Sequence, residues 1–104
     1  MKPDKILSLL GITAKSGSVA SGEFSTEKAV KEYRAYLVIV AGDSSDNTKK
    51  KFSDMCSFYE VPYAEYSTKE SLGHCIGKEF RASLAVTNEG LAKSLLKQLT
   101  SNRS

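Results

Sequence analysis

Cationic side chains define the chemistry this chain is equipped for. Lys28 and Lys31, with Arg34 further round, share one expected helix, Lys49, Lys50 and Lys51 form an unbroken run, and Lys78 and Arg81 flank a loop after the segment LGHCIG at 72–77. Such groups suit phosphate contacts, the ammonium as a mobile point charge and the guanidinium as a planar fork. The 49–51 run falls near an expected helix start, where positive charge opposes the macrodipole and an approaching anion relieves it. Asp43 follows the apolar run YLVIVAG, and its carboxylate is expected to cap the helix behind it or to orient Lys28 towards a phosphate. Gly73 and Gly77 are four apart, a spacing that places both on one helix face. There the missing side chains admit a second backbone, from RNA or from a neighbouring helix.

The usual tools of catalysis do not assemble. His74 is the one imidazole, and Gly11, Gly17 and Gly22 form neither GxGxxG nor GKS, the patterns that cradle nucleotide phosphates. Without CxxC or HxxxH spacing there are too few soft ligands for zinc. No catalytic residue, metal or cofactor is therefore expected, and the chain reads as a binding module rather than an enzyme. Cys56 and Cys75 fall at apolar positions of expected helices and read as reduced core thiols. Tyr33, Tyr36, Tyr59, Tyr63 and Tyr66 fall mostly on core stripes or strand positions, so they read as packing residues rather than a stacking platform.

The elements that must position these groups follow from periodicity. With 104 residues, the expected organisation is one domain over 1–100 and a frayed tail at 101–104. Net charge is +3, from 15 basic and 12 acidic groups, so a nucleic-acid footprint must come from clustering and not from bulk charge. Nothing approaches the ~18 consecutive apolar residues of a membrane span, and the first residues lack a long apolar core with a cleavage site; a cytoplasmic location is expected. Pro3 and Asp4 suit the first turn of a helix over 4–15, residues 18–20 a short strand, and Ser21 the cap of a second helix reaching about Arg34. In that helix Ala29, Val30 and Tyr33 form a weak apolar side.

Residues 35–41 are a continuous apolar run, the pattern of a strand covered on both faces. Ser44 or Ser45 caps a third helix with Phe52, Met55, Cys56 and Tyr59 as its stripe. A strand over 63–66 follows, then a short helix opened by a Ser67–Glu70 capping box, a strand over 83–87 and a last helix after Asn88. That alternation of five helices and four strands is α/β, with a largely parallel or mixed sheet between helices.

Several segments in this order carry a resemblance: SGE at 21–23, DSSDNTKK at 43–50, VPY at 61–63, LGHCIGKE at 72–79 and AVT at 85–87. Over about residues 5–98 the chain resembles the L-seven-Ae superfamily of kink-turn RNA-binding ribosomal proteins, most closely its bacterial YlxQ-type members. The resemblance implies a three-layer α/β/α sandwich around a four-stranded mixed sheet. It also implies non-enzymatic binding of structured RNA, ribosomal RNA foremost and the ribosome by extension, with no DNA or membrane partner. The implied contact residues are Gly22, Lys28, Lys31, Asp43, Lys49, Lys50, Gly73, Lys78 and Arg81.

In kink-turn binders a Gly-x-Asn-Glu-x-x-Lys motif reads sheared G·A pairs, and its matching positions here are Gly22, Phe24, Ser25 and Lys28. Glycine and lysine match. Phe24 has no amide to bond a base edge, and Ser25 is shorter than glutamate. Lys78 stands where a small apolar contact is frequent. The expectation is therefore a cationic RNA-facing edge with weakened kink-turn specificity. The alternative is a protein-interaction module that kept the fold after losing RNA readout.

Overall fold

A computed structural model describes residues 4–101. Its organising element is the strand Leu37–Val40, whose four residues are all buried. Leu37 and Ile39 face one core, with Ile6, Leu10, Leu72, Leu84, Val86, Ala92 and Leu95. Val38 and Val40 face another, with Ala29, Val30, Phe52, Cys56 and Ala85. Alternate residues of one strand thus feed two cores, which is why the run is apolar throughout instead of alternating.

In chain order the strands are β1 (Val19–Ser21), β2 (Leu37–Val40), β3 (Tyr63–Glu65) and β4 (Ser83–Val86), and the sheet runs β1-β4-β2-β3. β2 and β3 are parallel, with Val38 opposite Tyr63. β4 is antiparallel to both neighbours, with Ala85 opposite Ala20 on one side and Val38 on the other. The sheet is mixed and four-stranded, as the resemblance implied. One face carries α1 (Lys5–Lys15), α4 (Lys69–Cys75) and α5 (Glu89–Ser101), and the other α2 (Glu23–Lys31) and α3 (Asp46–Tyr59). The fold is a three-layer α/β/α sandwich.

Several boundaries differ from those expected. Asp4 is the N-cap of α1 and not part of its first turn: its carboxylate accepts from the backbone N–H of Ile6 and Leu7, both at 3.0 Å. Pro3 lies outside the described residues. Ser21 ends β1 and caps nothing, while Gly22 takes the N-cap of α2 at φ 93°, with no side-chain bond. α2 stops at Lys31, short of Arg34, because Tyr33 turns left-handed at φ 59° and the Arg34 N–H bonds back to the Ala29 carbonyl at 2.9 Å. Ser67 is left-handed as well, and Thr68 caps α4 by accepting from the Ser71 N–H at 3.1 Å. Ser45 caps α3 and Asn88 bonds the Leu91 N–H at the start of α5. Ser101, expected in the tail, closes α5; 102–104 lie outside the described residues. Both cysteines are free, with Cys56 buried and Cys75 packed on the α1–α4–α5 core.

Candidate nucleic-acid interface

Register fixes which loops meet. Ser21 lies opposite Leu84, and Val40 opposite both Ser83 and Glu65, so the C-terminal ends of β1, β2 and β3 and the start of β4 share one end of the sheet. The entry to α2, the 41–45 loop and the 76–82 loop therefore converge there. Hydrogen bonds tie them into one edge. The Gly22 N–H donates to the Ser83 carbonyl at 2.9 Å, the Ala41 N–H to the Ala82 carbonyl at 2.8 Å, and the Arg81 N–H to the Lys69 carbonyl at 3.0 Å. Arg81 Nε donates to Ser21 Oγ at 3.2 Å and its Nη1 to the Phe80 carbonyl at 2.8 Å, so the guanidinium is oriented beside the start of α2. Inside the edge, Ser83 Oγ donates to Thr26 Oγ1 at 3.2 Å, a buried bond that anchors α2 to β4.

Asp43 belongs to this edge in a different role from either one expected. Its Oδ1 accepts from the Lys69 backbone N–H at 2.8 Å, so it satisfies an orphan donor at the start of α4, not of α3. Gly73 meets neither RNA nor a neighbouring helix but a loop of its own chain. It is buried, and an added Cβ would stand 1.2 Å from the Glu79 carbonyl oxygen and 2.4 Å from its carbon. The backbone that approaches it is the chain's own 76–82 loop, further held by the Lys78 N–H donating to the Gly73 carbonyl at 2.8 Å. Gly77 lies beyond the helix at φ 76°, so the two glycines do not share a helix face. Gly73 seats the loop that carries Lys78 and Arg81.

The cations divide by partner. Lys31 pairs with Glu27 at 2.7 Å, Arg34 with Glu32 at 2.9 Å, Lys49 with Glu65 at 3.9 Å and Lys50 with Asp54 at 2.9 Å. Lys51, from α3, reaches α2 and binds both Glu23 at 3.0 Å and Glu27 at 2.7 Å. Lys31 and Lys51 together hold the Glu27 carboxyl down to about 2. Among the described residues Lys28, Lys78 and Arg81 form no ion pair. Lys28 is exposed about 9 Å along α2 from Gly22, by the rise per residue. The structure thus brings Gly22, Asp43, Gly73, Lys78 and Arg81 to one edge with Lys28 along its flank. Lys49 is turned to Glu65 on β3, and Lys50 lies outward on α3.

Two exposed aromatics complete the edge. Phe24, in the first turn of α2, is 78% exposed, and Phe80 in the 76–82 loop is 66% exposed. Phe80 carried no periodicity that would have singled it out. Lys51 stands in the lysine run, but its carboxylate partners belong to another helix and cannot be read from spacing. His74 lines a separate groove of about 910 Å³ between α1 and α4, with Ile12, Lys15, Glu70 and Cys75. Among the described residues no cluster of His, Cys, Asp or Glu could hold a metal, and no helix is long and apolar enough to cross a membrane.

Residues 4–96 match the ribosomal protein L7Ae/L30e/S12e/Gadd45 family. The chain belongs to that family. It is 42% identical over 91 residues to the RNA-binding protein YlxQ of Bacillus subtilis, covering 88% of this chain and 91% of that one. To the RNA-binding protein YlxQ of Enterococcus faecium it is 36% identical over 89 residues, covering 86% and 85%. A solved structure of a protein with unknown function from Bacillus halodurans C superposes with a TM-score of 0.91 at 34% identity, covering 94% of this chain and 99% of that one. In this member of the L7Ae/L30e/S12e/Gadd45 family the sheet end combines an ordered backbone network, cations that form no ion pair among the described residues, and two solvent-facing phenyl rings.

Proposed function

We propose that this chain is a non-enzymatic cytoplasmic protein that binds structured RNA, ribosomal RNA foremost, and acts in association with the ribosome. Contact is through the edge formed by Gly22, Lys28, Lys78 and Arg81, with Asp43 and Gly73 holding the loops in place. The observation that carries this is the start of α2. Gly22 at φ 93° follows Ser21, which orients Arg81, and the exposed Lys28, which forms no ion pair among the described residues, lies about two turns along the same helix. Cations without carboxylate partners meet phosphate at no cost in broken ion pairs. Lys31, Lys49 and Lys50 must first exchange a carboxylate for a phosphate, so they serve as outer contacts. Two similar proteins named as RNA-binding support the same assignment.

Specificity for kink-turns is weak, because Phe24 and Ser25 stand where an amide and a carboxylate would read sheared G·A pairs. Titration of a kink-turn RNA against the same RNA with Watson–Crick pairs in place of the G·A pairs tests this. Affinities within about threefold are expected, since each good base-edge contact is worth about 1–3 kcal/mol and those contacts are missing. A preference of a hundredfold for the G·A form would refute it. Lys28→Ala should weaken both complexes equally. A second reading, a protein-interaction module on the same fold, is favoured by the exposure of Phe24 and Phe80 at this edge. Purified protein free of nucleic acid and without affinity for either RNA at low salt would decide for it.

A further inference from the structure

Phe24 has no structural role that accounts for it. Its ring is 78% exposed and belongs to neither core cluster, and burial of Thr26, Ala29 and Val30 fixes α2 so that position 24 faces out. Lys28 follows four residues later, on the same helix face and about 6 Å away between Cβ atoms. It is exposed and forms no ion pair among the described residues.

The adjacent face of α2 carries Glu23 and Glu27, whose charges would repel a phosphate. Both are bound by Lys51 from α3, and Glu27 also by Lys31. The acids are thus neutralised on the α3 side, leaving a strip of one aromatic ring and one free cation. Its dimensions are those of a single nucleotide, an aromatic base joined to a phosphate. A protein partner would gain from the ring as well, but the free ammonium one turn away and the oriented Arg81 guanidinium favour an anionic ligand.

We propose that Phe24 is a base-stacking residue: an unpaired nucleobase lies on its ring while the adjoining phosphate meets Lys28. The preferred RNA is then one that offers a bulged or looped nucleotide at the start of α2, of any base, because every base has a π-face. This rests on the proposal that the chain binds RNA through this edge. The same side chain that removes hydrogen-bonded readout of G·A pairs supplies readout of unpairing.

The test uses the full chain and two RNA hairpins, one with a fully paired stem and one with a single bulged 2-aminopurine, whose fluorescence falls when it stacks. The unmodified protein should bind the bulged stem about five- to tenfold more tightly and quench the 2-aminopurine. Phe24→Tyr keeps the ring and should keep both effects. Phe24→Leu, an apolar residue without a π-face at an exposed position, should bring the two RNAs to the same affinity and abolish the quenching. Preference and quenching that survive in Phe24→Leu would overturn the assignment of Phe24 while leaving RNA binding intact. Failure of the unmodified protein to bind either hairpin at low salt would overturn RNA binding itself, and this inference with it.

Discussion

Replacing Gly73 by alanine separates two physical effects of opposite sign. Within a helix the change should stabilise by about 1 kcal/mol, because alanine loses less backbone entropy than glycine. Here the new methyl would stand 1.2 Å from the Glu79 oxygen, 2.4 Å from its carbonyl carbon and 3.2 Å from the Phe80 Cα. All three are backbone atoms, so no side-chain rotation relieves the overlap. The 76–82 loop must move, straining or losing the bonds from the Lys78 N–H to Gly73 and from the Arg81 N–H to Lys69. Overpacking costs about 1–3 kcal/mol and each lost hydrogen bond about 1 kcal/mol. The net expectation is destabilisation of about 1–3 kcal/mol, at roughly 4–8 °C of melting temperature per kcal/mol for a domain of this size. RNA affinity should fall too, because Lys78 and Arg81 ride on the displaced loop. Urea unfolding and RNA titration on one preparation measure both. A Gly73→Ala protein with wild-type or higher stability and unchanged RNA affinity would show that helix propensity wins and that the loop does not rest on Gly73.

Three further outcomes are expected. Because the folded-state Glu27 carboxyl is held down to about 2 from 4.5, its stabilising contribution is complete above pH 4.5 and is lost as pH falls towards 2. Solvent screening of the pair limits that contribution to about 1 kcal/mol; Lys51→Met should flatten the stability curve between pH 5 and 2, and an unaltered slope in urea titrations would count against the pairing. Asp43→Ala should cost about 1 kcal/mol through the lost cap on α4, measured by chemical denaturation, whereas Asp43→Asn keeps an acceptor and should cost less. If Lys28, Lys78 and Arg81 are the cations that displace counterions, the slope of log K against log salt should be about −2 to −3; a value beyond −5 would mean that the paired lysines of α2 and α3 also release counterions.

Element order, the doubly covered β2, the stripe of α3 and the free thiols were all legible in the sequence, because each is set by local periodicity. What escaped was set by contacts between distant residues. α2 was expected to reach Arg34 with Tyr33 on its apolar side, yet Tyr33 turns left-handed, is 77% exposed and packs edge-on against Tyr59, with ring centroids 5.5 Å apart. No local signal distinguishes that end from one more helical turn. The Ser67–Glu70 pattern satisfied a capping box one residue early, and Thr68 won because Ser67 is in the turn that lets the Gly42 N–H reach its carbonyl at 2.8 Å. Gly73 showed that a backbone comes close, but the choice between a foreign chain and the chain's own loop needed the position of Glu79. The lysine run likewise announced charge, while the neutralisation of Lys49 and Lys51 depends on carboxylates from β3 and α2; the Lys50–Asp54 pair, four residues apart on α3, is local.

The place of β4 in the sheet has a bearing on synthesis. It is the last of the four strands to be made, yet it stands between β1 and β2. Until it emerges, β1 has no strand to pair with, and β2 has only the three-residue β3 beside it. Gly22 lacks the carbonyl of Ser83, and Arg81 cannot dock on Ser21. The nascent chain therefore carries the start of α2, with its phenyl ring and lysines, well before that surface has its final shape. The edge proposed to meet RNA is therefore assembled only once β4 has emerged and folded against β1 and β2, so a chain stopped short of β4 would lack the surface fitted to that contact.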